Sequence, residues 1–130
     1  MAFSNKRDRD HARADELLDQ ARKGEFGPLY TSDYVFDVVT TTLVWTGRPD
    51  LAARAGQAIL GSVEDSVPAF VRLAGVDEGT FSTAWGAFRS GRFERLSFTD
   101  HTILAQVKEL ALDAVMSFDG GFDGLAKRIL

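Results

Sequence analysis

Apolar residues recur along this chain in two rhythms, a helical spacing of three and four and short continuous runs, separated by glycine, proline and acidic breaks. Ala14, Leu17, Leu18 and Ala21 lie on one face of a helix. Asp8 or Asp10 is placed to cap its start, and Gly24 and Gly27-Pro28 to end it. Leu29-Tyr30-Thr31 reads as a short strand. Ser32 or Asp33 caps a second helix through Tyr34, Val35, Val38, Val39, Thr42 and Leu43, closed by Gly47. Its β-branched residues lower helix propensity, so tertiary packing must hold it. Pro49 suits the first position of a third helix, with a stripe of Leu51, Ala52, Ala55 and Ile59 and a stop at Gly61. The run from Val67 to Leu73 reads as a strand at a sheet edge, because Pro68 has no N–H to donate. Asp77 caps a helix with Phe81, Trp85 and Phe88 on one face and Gly91 behind it. Thr99 or Asp100 opens another, through Ile103, Leu104, Val107, Leu110 and Ala111. Asp113 leads into a strand over Ala114-Val115-Met116-Ser117-Phe118, and the tail from Phe122 to Leu130 is a short helix or extension. Helices alternating with short apolar strands predict an α/β fold, mainly parallel, in one domain over residues 1–130.

Composition narrows the class. At 45% hydrophobic and 26% charged, the 130 residues suffice for a single hydrophobic core. With no cysteine, a disulfide framework, a zinc-thiolate site and a cysteine nucleophile are all excluded, which fits a reducing cytoplasm. No apolar run reaches the length of a membrane span, and the charged opening Met1 to Asp10 is followed by no signal-peptide core, so no membrane partner is expected. The net charge of −4 argues against a nonspecific nucleic-acid coat protein, though not against a nuclease, whose metal-binding carboxylates make its site acidic.

Candidate chemistry concentrates in Leu96-Ser97-Phe98-Thr99-Asp100 and Met116-Ser117-Phe118-Asp119-Gly120-Gly121-Phe122-Asp123. In a parallel sheet, strands end and helices begin at one edge, where ligands bind. Asp100 at a helix start and Asp119 after the following strand therefore converge, and the turn at Gly120-Gly121 allows Asp123 to supply a third oxygen. Such donors suit magnesium or manganese, which polarise a phosphodiester and activate water. Taken singly, each has a plainer reading: Asp100 as a helix N-cap, Asp119-Gly120 as a turn, Asp123 as a surface residue.

In this order, Arg7 to Ala14, Leu29 to Asp37, Leu96 to Asp100 and Ser117 to Asp123 resemble the PIN-domain family of metal-dependent ribonucleases, in particular the VapC-type toxins of toxin–antitoxin pairs. The resemblance implies a three-layer α/β/α fold around a central parallel sheet. It also implies an acidic cluster that binds Mg2+ or Mn2+ and cleaves RNA, a cognate antitoxin as inhibitor, and a homodimer. By motif, Asp100 and Asp119 match two core acids, Asp123 a less regular one, and Thr99 the hydroxyl residue that helps hold the site. Two departures stand out. The chain opens at Met1-Ala2-Phe3-Ser4-Asn5, which reads as the end of the helix after the family's first strand, so that strand and its aspartate are expected to be missing. The family's glutamate in the second helix is here Val38, and Asp37 does not replace it, since one helical residue turns a side chain by about 100°.

Two functions are therefore expected in competition: a metal-dependent endoribonuclease toxin, and a truncated or degenerate relative that binds antitoxin, RNA or its own copy without catalysis. Of the remaining residues, His101 reads as a polar helix residue rather than a phosphate contact, and His11 as a surface residue. Tyr30, Tyr34, Trp45 and Trp85 are candidates for stacking on bases, and Arg89, Arg92 and Arg95 for meeting phosphates. The Phe81, Trp85 and Phe88 stripe reads first as core or dimer interface.

Overall fold

Each strand among the described residues is two or three residues long, and each pairs in parallel with one partner. The computed structural model describes residues 12–13, 16–66, 68–69, 71–116 and 124–129. In chain order these form α1 (16–22), β1 (Tyr30–Ser32), α2 (Asp33–Trp45), α3 (Pro49–Leu60), β2 (Arg72–Ala74), α4 (Glu78–Arg89), α5 (Phe98–Glu109), β3 (Val115–Met116) and β4 (Arg128–Ile129). The mixed α/β class with parallel pairing agrees with the sequence expectation. The chain divides into two compact units, Gly27–Asp77, and Met1–Phe26 together with Glu78–Leu130.

The Gly27–Asp77 unit is a strand, two helices and a strand. Ser32 ends β1 in an extended conformation and caps α2, its hydroxyl accepting from Val35 N–H at 3.1 Å. Asp33 sits in the first turn, where a negative charge suits the helix dipole. Its Oδ1 accepts from Tyr34 N–H at 3.1 Å and from Val76 N–H at 2.9 Å, tying the segment after β2 to the start of α2. Pro49 opens α3, and Gly61, with φ of +72°, caps its end in a conformation costly for other residues. α2 and α3 pack closely at Gly56, where an added Cβ would lie 3.3 Å from the Phe36 ring. The register Tyr30↔Arg72, Thr31↔Leu73, Ser32↔Ala74 closes the unit. Of the strand expected over 67–73, Arg72 and Leu73 belong to β2, and among the other described residues Pro68 lies outside the ladder it cannot support.

In the second unit α4 and α5 pack against each other. The buried Thr80 hydroxyl in the first turn of α4 donates to Glu109 Oε2 at 2.6 Å in the last turn of α5. At the start of α5, Phe98 meets Phe81 and Phe88 edge to face at 5.2 and 5.8 Å. Among the described residues of this unit, Leu17 and Ala21 of α1, Ala84, Leu96, Ala105 and Val115 are the buried apolar residues. Leu17 and Ala21 occupy the face expected of them. The tail, expected as a short helix or an extension, is extended at β4, which pairs with β3 in the register Val115↔Arg128, Met116↔Ile129.

α5 departs most from expectation. Its fully covered side chains are His101, Thr102, Ala105 and Gln106, while Ile103, Leu104 and Val107 are half-buried. Leu110 is the C-cap, and Ala111, expected on the helix, lies past its end with φ of +51°. The helix is covered on more than one side, so its apolar stripe is not its most buried face.

Candidate functional site

Asp100 occupies the third position of α5, not its cap. The N-cap is Ser97, whose Oγ accepts from Asp100 N–H at 3.1 Å, while Asp100 Oδ2 accepts from Ser97 N–H at 2.9 Å. This reciprocal pair is a capping box, and it fixes the carboxylate against the backbone. Asp100 is half-buried, and Oδ1 stands outside the pair of bonds. The expectation that Thr99 or Asp100 caps the helix is corrected by two residues or more: Ser-x-x-Asp was the readable signal. Thr99 is half-buried on the first turn, its carbonyl accepting from the buried Thr102 hydroxyl at 2.5 Å.

The other two expected ligands, Asp119 and Asp123, lie outside the described residues, as do Ser117 and Phe118. Asp119 follows β3 by three positions in the sequence. Among the described residues, no group of three or more histidine, aspartate or glutamate side chains is gathered as metal ligands. Val38 lies on α2 with 48% of its surface exposed. Its neighbour Asp37 accepts from the Thr41 hydroxyl at 3.0 Å, one turn along the same helix.

The stacking candidates differ in availability. Trp45 is 86% exposed just before α2 gives way to Gly47. Trp85 is half-exposed and stacks on Phe88 at 6.1 Å. Tyr30 is engaged at its hydroxyl by the Arg72 guanidinium at 3.3 Å, which also lies 5.8 Å from the ring centre. Arg89 and Arg95 are exposed, while Arg92 packs over the Phe93 ring at 5.3 Å.

His101 is the residue that sequence reasoning placed least well. It is a polar helix residue, but only 3% exposed. Its Nδ1 lies 2.8 Å from Ser97 O, and the ring is flanked by Phe88 at 5.6 Å and Phe93 at 6.3 Å. A carbonyl only accepts, so Nδ1 carries the proton, and in the neutral ring Nε2 is an acceptor. Nε2 is buried with no partner. Leaving such an atom unsatisfied costs about 1–3 kcal/mol. His101 also lines an open pocket of about 320 Å³ bordered by α4 and α5, with Phe93 and Leu125 in its wall. The readable signal was spacing: His101, Leu104, Ala105 and Lys108 share one helical face at i, i+3, i+4, i+7, and all four line that cavity. Compared with known proteins, the chain matches no family model and no curated protein sequence.

Proposed function

We propose that this chain is a three-layer PIN-like protein of the VapC type, a cytoplasmic endoribonuclease that hydrolyses RNA phosphodiesters with Mg2+ or Mn2+. It acts as the toxin of a type II toxin–antitoxin pair, as a homodimer held inactive by a cognate antitoxin. The observation that carries the reading is the Asp100 carboxylate, locked by its capping box at the start of α5 with Oδ1 left over. A metal ligand must be held within about half an ångström, and a backbone-anchored carboxylate meets that demand without depending on a mobile side chain. α5 leads into β3, and Asp119 follows three residues after β3 ends. Asp100, Asp119 and Asp123 are the residues that would hold the ion, and their hard oxygen donors suit it. When bound, the ion supplies Lewis acidity and an activated water. Asp100 and Asp119 would hold the ion and position the attacking water in line with the scissile bond.

The test is manganese-dependent cleavage of a single-stranded RNA by the purified chain. Asp100→Asn and Asp119→Asn should each lower the rate by about a hundredfold or more, the scale of losing electrostatic stabilisation at a reacting centre. Cleavage that survives both substitutions overturns the reading.

A second reading is favoured by one observation, the exposed apolar Val38 where the family carries glutamate, beside an Asp37 already bonded to Thr41. On it the protein is a degenerate relative that binds antitoxin, RNA or a second copy without cutting. It expects no cleavage at any manganese concentration, together with retained self-association in sedimentation experiments.

A further inference from the structure

Helix α4 turns an uncharged aromatic face to solvent, with one charge at each end. Glu78, Ser82, Trp85 and Arg89 stand at i, i+4, i+7 and i+11, one line along the helix, and all four are exposed. Phe81 and Phe88, 44% and 41% exposed, flank that line on one side, next to Trp85 at 48%. Every residue between Glu78 and Arg89 is uncharged. A solvated helix face ordinarily carries charge, so this one reads as a surface that meets protein. Its two end charges are about 16 Å apart along the axis, too far to pair with each other. Among the described residues neither enters an ion pair; the pairs present join Arg13 to Glu16 and Lys23 to Asp19.

We propose that α4 is the surface through which two copies of this chain pair, antiparallel about a two-fold axis level with the midpoint between Thr83 and Ala84. A two-fold interface must oppose residue i to j and j to i, and the spacing of acid, small, large and base along this line meets that condition. Glu78 of one copy meets the partner's Arg89, and its Arg89 meets the partner's Glu78. Trp85, of a type that anchors interfaces, lies against the small side chain of the partner's Ser82, and the reverse contact repeats it. The same axis sets like flanks side by side, so Phe81 and Phe88 of the two copies come together. A parallel pairing would instead set like charges together at both ends. This surface gives the proposed homodimer its interface, resting on the self-association in that reading and not on its RNA chemistry.

The experiment is sedimentation equilibrium of the full chain. Glu78→Arg and Arg89→Glu each set like charges together at both ends and should weaken dimerisation about tenfold or more. Mixed in equal amounts, the two variants should regain wild-type association as a heterodimer, since each supplies the charge the other lacks. The Glu78→Arg/Arg89→Glu double variant should self-associate like the wild type, although it carries the helix-dipole cost of both reversals. Recovery in both separates pairing from loss of fold. Ser82→Trp, at an exposed position, sets bulk against the partner's Trp85 and should weaken the dimer without touching either charge. A wild-type chain that is monomeric at about 100 μM overturns the proposal. So does a dimer indifferent to the single reversals and to Ser82→Trp, which is held by another surface, and so does a mixture as weak as its components. None of these readings involves cleavage, so failure of the nuclease reading and failure of this surface are told apart.

Discussion

Asp100 serves two demands with one side chain, and they can be separated. As the partner of Ser97 in a capping box it contributes stability; as a carboxylate with a spare oxygen it is the anchor of the proposed metal site. Asp100→Ala should lower unfolding stability by about 1 kcal/mol, and a double-mutant cycle with Ser97→Ala, read by urea denaturation, should return a favourable coupling. Asp100→Asn keeps an acceptor for Ser97 N–H and should recover most of that stability while abolishing manganese-dependent cleavage. Two kinds of local chemistry differ here in how readable they are. The capping box is written in Ser97-Phe98-Thr99-Asp100, an acid three positions after a serine. The left-handed turn at Ala111 is not, since alanine is the best helix former and advertises no stop. Ala111→Gly should relieve that backbone strain and raise stability by about 1 kcal/mol, visible as a higher urea midpoint at unchanged slope.

Among the elements, the pair α2–α3 depends on what is missing from Gly56. The Phe36 ring approaches where a Cβ would stand, so Gly56→Val pushes two methyl groups into it and should cost about 2 kcal/mol by overpacking, measured by thermal or urea unfolding. Asp33→Ala should cost about 1–2 kcal/mol, because it releases both the first turn of α2 and the Val76 N–H after β2. The order of elements was legible: breaks at Gly24, Gly47 and Gly61, the first position of Pro49, and β1 at Tyr30 all sit where turn and helix-end chemistry put them. Strand extent was less so, since among the described residues of the run from Val67 to Leu73 only Arg72 and Leu73 join a ladder, and an apolar run alone does not say how much of it pairs. The face of α5 was misread for a related reason. Periodicity counts apolar side chains, but Thr80, His101, Thr102 and Gln106 are buried polar groups, and what buries them is the neighbouring helix rather than their own hydrophobicity. Of the candidate site, Asp100 was legible as a helix-start acid, whereas the cavity required knowing that α4 lies against α5.

On the scale of the whole molecule, burial is unevenly shared. No residue of α2 is fully buried, and the described part of the Gly27–Asp77 unit buries Ser32, Ala52 and Gly56, whereas α5 alone buries four side chains. Native-state hydrogen exchange should therefore show the amides of α2 opening at least about tenfold more readily than those of α5, through local unfolding of the less covered unit. No helix among the described residues is long and apolar enough to cross a membrane. The division into units is also a division in sequence, for one unit is continuous and the other is assembled from residues on both sides of it. That has a consequence for how the chain is made. During synthesis the Gly27–Asp77 stretch is complete as soon as Asp77 has left the ribosome, while the earlier helix α1 still lacks Glu78–Leu130, the remainder of its own unit. Leu17 and Ala21, made before it, remain exposed through that interval, so the nascent protein carries an uncovered apolar surface until some fifty further residues have emerged, roughly 3–10 s at bacterial or eukaryotic elongation rates.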